Sequence, residues 1–184
     1  MKIHKIRTAA ENGDAAAQYK LGMCYYYGDE TRKDLQKSFH WLLKAAKQDY
    51  FPALYMVGLS YDFGDGVEQD KTKAVEYYRM AADKGSVAAR YNLAVSYEEG
   101  EGVKVDKTLA AKYYQIMADN GDDQAQNNYA HMLSEGDGIP QDLEEAFRYW
   151  LLSAKQGNKN AQYQLGWCYY YGEGVEIDKK KSNY

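Results

Sequence analysis

A spacing of 36 residues recurs along this chain without slipping, and it limits the fold more than any other feature. Glycines mark one phase at Gly28, Gly64, Gly100, Gly136 and Gly172, and aspartates mark another at Asp34, Asp70, Asp106, Asp142 and Asp178. A third phase reads Gly13, Asp49, Gly85, Gly121 and Gly157. A fixed period of this length belongs to repeat architectures, in which each unit makes the same turns and shows the same face to its neighbour.

The unit from Gly85 to Gly121 shows what repeats. Ala89, Leu93 and Tyr97 fall one helical turn apart, with Ala94 beside them, and predict a helix A with a narrow apolar stripe. Gly100-Glu101-Gly102-Val103 then breaks the helix, because paired glycines permit positive φ. Asp106 suits an N-cap. Ala110, Tyr113, Tyr114, Met117 and Ala118 follow at helical spacing as helix B, which Gly121 ends in the left-handed region. In the fourth unit Asp142 and Glu145 fit a capping box. Asp49 takes one glycine position, and aspartate tolerates that conformation. The turn Gly28-Asp29-Glu30-Thr31 lacks its second glycine, so the first unit is the least regular. Pro52 opens a helix A and Pro140 lies in a turn. Period-two alternation is missing, so no strand is expected.

The run Ala161-Gln162-Tyr163-Gln164-Leu165-Gly166-Trp167-Cys168-Tyr169-Tyr170-Tyr171-Gly172-Glu173-Gly174-Val175 resembles the Sel-one-like repeat, one of the tetratricopeptide-type α/α solenoids. So does Lys73-Ala74-Val75-Glu76-Tyr77-Tyr78-Arg79-Met80-Ala81-Ala82-Asp83-Lys84-Gly85. In the fourth unit Tyr129-Ala130 stands for Leu-Gly and Leu133 for Tyr, swaps that keep size and apolarity. The resemblance implies an all-α fold, a right-handed α/α superhelical solenoid of helix-turn-helix repeats with helices A inside and helices B outside. One array over 1–184 is expected: a partial helix at 1–13, repeats at 14–49, 50–85, 86–121 and 122–157, and a partial repeat at 158–184. Both ends look cut from a longer array. The last helix A, with Leu165 and Tyr169 in its core stripe, is expected to need cover from self-association or from residues outside this chain.

The net charge of −4 and the pI near 5.4 argue against nucleic acid and anionic membranes as partners. No apolar run is long enough for a bilayer. Met1–Arg7 carries charge without the apolar core of a signal peptide, and a removed leader would leave no trace. Cys24 and Cys168 share one phase four periods apart, too far to bridge if stacked helices lie on the order of 8–10 Å from each other. Secreted members of the resembled family pair cysteines within each repeat, a pattern absent here, so the expected compartment is reducing and cytoplasmic. Packing accounts for Tyr25, Tyr61, Tyr97 and Tyr169 on helices A and for Tyr77, Tyr113 and Tyr149 on helices B.

Chemistry is sparse. His4, His40 and His131 have no ligand at helical spacing, so no metal site is expected. Asp62-Phe63-Gly64-Asp65-Gly66 lacks a calcium loop's alternating ligands, and the Gly-x-Gly pairs lack a preceding strand and a Gly-Lys-Ser/Thr. No residue has the context of an activated nucleophile. The expectation is a protein that is not an enzyme and carries no cofactor.

Surface recognition remains. The solenoid resemblance places three helix A rows on the inner face. The first is Tyr19, Tyr55, Tyr91, Asn127 and Tyr163; the second is Met23, Leu59, Val95, His131 and Trp167; the third is Tyr26, Asp62, Glu98, Ser134 and Tyr170. The first row also has a plain reading as a seal between neighbouring helices A. Met23, Tyr26, Trp167 and Tyr170 have the character of hot-spot anchors. Asp62, Glu98, Glu99 and Glu135 make the middle acidic, which suits a basic partner with apolar flanks, although an ordinary solvated face would look the same. The expected function is a scaffold binding a peptide or a partner domain. Two other readings stay open: an immunity or antagonist protein that blocks a toxin, and a wall-sugar or small-ligand module of a larger protein.

Overall fold

The computed structural model describes residues 3–182. Among these the chain is all-α, with ten helices and no strand. It divides into two compact units, one running to Ser96 together with Glu101–Lys104, the other made of Tyr97–Gly100 and everything from Val105 onward.

The first unit holds α1 (Ile3–Glu11), α2 (Ala15–Tyr27), α3 (Leu35–Ala46), α4 (Phe51–Phe63), α5 (Lys71–Asp83) and most of α6 (Val87–Glu99). The second holds the end of α6 with α7 (Lys107–Asp119), α8 (Asp123–Glu135), α9 (Leu143–Lys155) and α10 (Lys159–Tyr171). The even-numbered helices are helices A. In the first unit Leu21, Leu42, Leu54, Val57, Tyr78 and Leu93 are fully buried; in the second, Tyr114, Leu165 and Cys168 are.

The predicted punctuation operates as hydrogen bonds. Asp34, Asp70, Asp106 and Asp142 each accept from the N–H three residues on, at 2.9–3.0 Å. Gly28, Gly64, Gly136 and Gly172 end their helices with φ of 70° to 78°, and Asp49 takes the left-handed place expected of it with φ 59°. The second turn glycine has a further reason. A Cβ on Gly66 would lie 2.0 Å from the Leu35 carbonyl oxygen, and one on Gly174 2.0 Å from that of Leu143. Each turn is therefore pressed onto the start of the preceding helix B, where no side chain fits. The first turn escapes this. Glu30 occupies the matching place with φ 53°, and its carboxylate accepts the Ile3 N–H at 2.7 Å.

Two expectations are corrected. The capping box at Asp142 is only half made: Asp142 caps the Glu145 N–H, but the Glu145 carboxylate pairs with Arg148, and the Asp142 N–H goes to the Leu133 carbonyl. The core stripe of α10 is covered from within the chain. Leu165 is fully buried, a Cβ on Gly166 would meet the Ser182 carbonyl at 3.0 Å, and Tyr169 packs edge-on to Phe147 with Lys181 over its ring.

Glutamines tie repeats together. Gln18 and Gln126 donate to the carbonyls of Ala10 and Ala118, both at 3.1 Å, and accept from Gln48 and Gln156 at 2.8 and 2.9 Å. Three buried polar side-chain atoms go unserved among the described residues, those of Ser38, Asn127 and Trp150. The Ser38 hydroxyl has no partner, whereas Ala74, Ala110 and Ala146 fill the same phase. Ser38→Ala should therefore stabilise the chain by about 1 kcal/mol, read as a higher urea midpoint at constant slope.

The caps also set the response to acid. The backbone N–H of Lys37, then its ammonium, hold the Asp34 carboxyl below its ordinary value; Lys73 does the same for Asp70. A carboxyl lowered by folding contributes fully above its unfolded pKa, about 4, and the contribution is lost as pH falls through the folded value. Melting temperature should thus drop in that window, and Asp34→Asn with Asp70→Asn should flatten the drop.

Candidate functional site

The helix A surface is the candidate site, and its character follows from what helix B offers each position. Tyr78 and Tyr114 stand at one phase of α5 and α7 and are buried. Buried hydroxyls need partners. Tyr78 donates to Asp62 Oδ2 at 2.8 Å and Tyr114 to Glu98 Oε2 at 2.9 Å. Burial, then the neighbouring carboxylate, push the Tyr78 hydroxyl far above its ordinary pKa. Lys71 pairs with Asp62 at 2.6 Å and with Glu101 at 2.9 Å, and Lys107 pairs with Asp137 at 2.6 Å. Asp62 and Glu98 are thus claimed within the chain. The acids left exposed at this surface are Glu99 and Glu135.

In the first unit Tyr19 lies 5.5 Å from the Tyr50 ring and Tyr55 lies 6.0 Å from the Tyr78 ring, both half-buried. Met23 and Tyr91 are half-buried as well, and Tyr26 donates to Asp65 at 3.3 Å. Packing occupies much of these side chains. In the second unit His131 is half-buried edge-on to Trp150, and burial lowers its pKa. Tyr163, Trp167 and Tyr170 are exposed on α10. Trp167, 41% exposed, stacks on Tyr171 at 5.1 Å, and Tyr170 meets Tyr171 edge-on at 4.8 Å.

Tyr171 belongs to a row that the sequence reading passed over except for its acids. The residue before each turn glycine is Tyr27, Phe63, Glu99, Glu135 or Tyr171. Tyr27 is 70% exposed, Phe63 69% and Tyr171 55%. The signal was present: these residues share the phase of Glu99 and Glu135. Among the described residues no group of His, Cys, Asp and Glu could hold a metal ion, and no helix is long and apolar enough to cross a membrane. Both cysteines are free thiols, with Cys168 pushed up to about 11 by burial.

These features define an α/α repeat protein whose distinctive chemistry lies on a helix face. A family model described as the Sel1 repeat matches residues 15–50, 52–86, 87–122, 123–158 and 159–184, and the chain belongs to that family. Its proteins generally serve as protein–protein interaction scaffolds. A solved structure, a protective antigen present in uropathogenic Escherichia coli strains and displaying an SLR fold, is 41% identical with a TM-score of 0.94; the match covers 99% of this chain and 39% of that one. The putative sel1-like repeat-containing protein L18 of Acanthamoeba polyphaga mimivirus is 46% identical over 44 residues, and the secretory immunoglobulin A-binding protein EsiB of Escherichia coli is 42% identical over 45. Those stretches span 24% of this chain and only 8% and 9% of the two relatives.

The tyrosine–acid pairs carry load. Tyr114→Phe leaves the Glu98 carboxylate without that donor and should cost about 2 kcal/mol in chemical unfolding. Adding Glu98→Gln should recover part of the loss, because the pair is coupled.

Proposed function

We propose that this chain is a binding scaffold that takes a protein or peptide on the helix A faces of its repeats. The observation that carries this reading is the row before the turn glycines. Stacking makes no demand there, yet the row holds three exposed aromatics and two exposed acids. Exposed aromatics of this kind supply affinity, whereas charges at a rim mainly steer association. In the first unit Tyr27 and Phe63 serve as anchors beside Met23 and Tyr26. In the second, Trp167, Tyr170 and Tyr171 do so, with Glu99 and Glu135 favouring a partner that offers Lys or Arg between apolar residues. Tyr19, Tyr55 and Tyr91 accompany the anchors of the first unit, with Asp62 on the same helix A surface; Tyr163 accompanies those of the second, with Glu98 and His131. EsiB, by its name a binder of secretory immunoglobulin A, lends support as a relative that binds a protein.

The test needs a partner captured with this chain and then purified. Trp167→Ala should weaken that complex by about 2 kcal/mol, roughly thirtyfold, with the melting temperature preserved. Glu99→Gln with Glu135→Gln should slow association and reduce its salt dependence while leaving dissociation little changed. If Trp167→Ala unfolds α10 while affinity per folded molecule stays the same, the residue is core and this assignment fails. A partner that is a toxin would turn the reading toward an immunity protein; a saccharide, toward a wall-binding module.

A further inference from the structure

The fourth repeat breaks the tyrosine–acid pattern in a way that points to a specific recognition element. At the phase of Tyr78 and Tyr114 it carries Trp150, only 3% exposed. At the phase of Asp62 and Glu98 it carries Ser134, whose hydroxyl donates to the His131 carbonyl at 2.9 Å. At the phase of Lys71 and Lys107 it carries Leu143. The indole Nε1 of Trp150 is buried with no acceptor, and in the same repeat Asn127 Oδ1 is buried with no donor. Buried donors are paired in nearly all proteins, so an orphan at a matched position calls for an explanation.

What borders the orphan indicates its partner. The His131 ring stands edge-on to the Trp150 ring at 5.3 Å. The Gln164 amide approaches His131 Nε2 at only 3.4 Å, a long contact that is readily given up. Burial lowers the His131 pKa, against the opposing pull of the Glu135 and Glu98 carboxylates. A carboxylate brought here would be repelled by those two acids. A neutral acceptor would not, and a cation next to it would be favoured.

We propose that the helix A face of the fourth repeat holds an acceptor site, in which the Trp150 indole N–H donates to an amide carbonyl of the partner polypeptide once Gln164 swings away from His131. In the second and third repeats the side chain at this phase donates to an in-chain carboxylate instead. This deepens the scaffold reading and rests on it.

The chain has three tryptophans, Trp41, Trp150 and Trp167. Uniform ¹⁵N labelling of the full chain therefore gives three indole signals, and Trp150→Phe assigns the one at issue. N-methylacetamide, the smallest peptide-like amide, should move the Trp150 indole proton downfield with saturation and leave Trp41 still. Ser134→Glu supplies the in-chain acceptor that Glu98 gives Tyr114, so it should shift that proton without ligand and abolish the response; Ser134→Asp, matching Asp62, replaces it if the glutamate variant does not fold. No movement, or an unsaturating drift shared with Trp41, overturns the site. A saturating shift with acetate and none with the amide overturns the neutral acceptor, as does an indole proton in contact with a bound water that the amide fails to displace. Any of these results alongside unimpaired partner binding removes the Trp150 site alone, whereas a partner indifferent to Trp167→Ala removes the scaffold reading.

Discussion

Everything in this molecule depends on how closely helix A sits on the side chain that helix B raises beneath it. A Cβ on Gly22 would lie 2.8 Å from Leu42 and one on Gly58 2.7 Å from the Tyr78 ring. The same phase holds Ala94 in the first unit and Ala130 in the second, both fully buried. Only a hydrogen or a methyl is accepted at this phase, because interiors pack at crystal-like density and a larger group would displace the ring. That contact fixes which face of helix A looks inward, and so which residues remain for anything else.

The same closeness gives the polar groups their strict pairing. A tyrosine driven under helix A takes its hydroxyl out of water and must find an acceptor there. Asp62 and Glu98 provide it, and Lys71 offsets the charge on Asp62. In the second repeat the acid, the lysine and the tyrosine work as a set, since removing the lysine or the acid leaves a partly buried group uncompensated. The first repeat does without the set, holding Leu35 and Leu42 at the lysine and tyrosine phases, and its Tyr26 turns to Asp65 instead.

The helices were legible in the sequence because they rest on backbone demands that recur: Asp34 and its copies at the caps, Gly28 and its copies at the stops, Asp49 standing in for a glycine. The candidate site was less legible, because its character comes from side chains on two different helices. Asp62 and Glu98 read as open acids until Tyr78 and Tyr114 are seen to claim them, although the constant separation of each pair was there to be noticed. Tyr27, Phe63 and Tyr171 lie outside the three rows that the resemblance points to, and exposure singles out their row as a fourth. Glu145 fits the cap by spacing, but a carboxylate one turn from Arg148 has a charged alternative to a backbone N–H, and it takes that.

Repetition inside one chain is itself a control experiment. Five copies of one design share their backbone constraints, so a departure confined to one copy is not needed for stacking. The fourth copy departs at three linked phases, with Ser134, Leu143 and Trp150 where the second and third copies hold an acid, a lysine and a tyrosine. The loss of the acid fits the loss of the lysine, since in the second copy Lys71 pairs with Asp62. Replacing the tyrosine by tryptophan does not follow in the same way, because a leucine fills that phase in the first copy without any polar atom. Keeping a donor there, after its acceptor has gone, retains a cost that Leu42 shows to be avoidable. Of the three changes, the tryptophan is therefore the one that stacking does not explain.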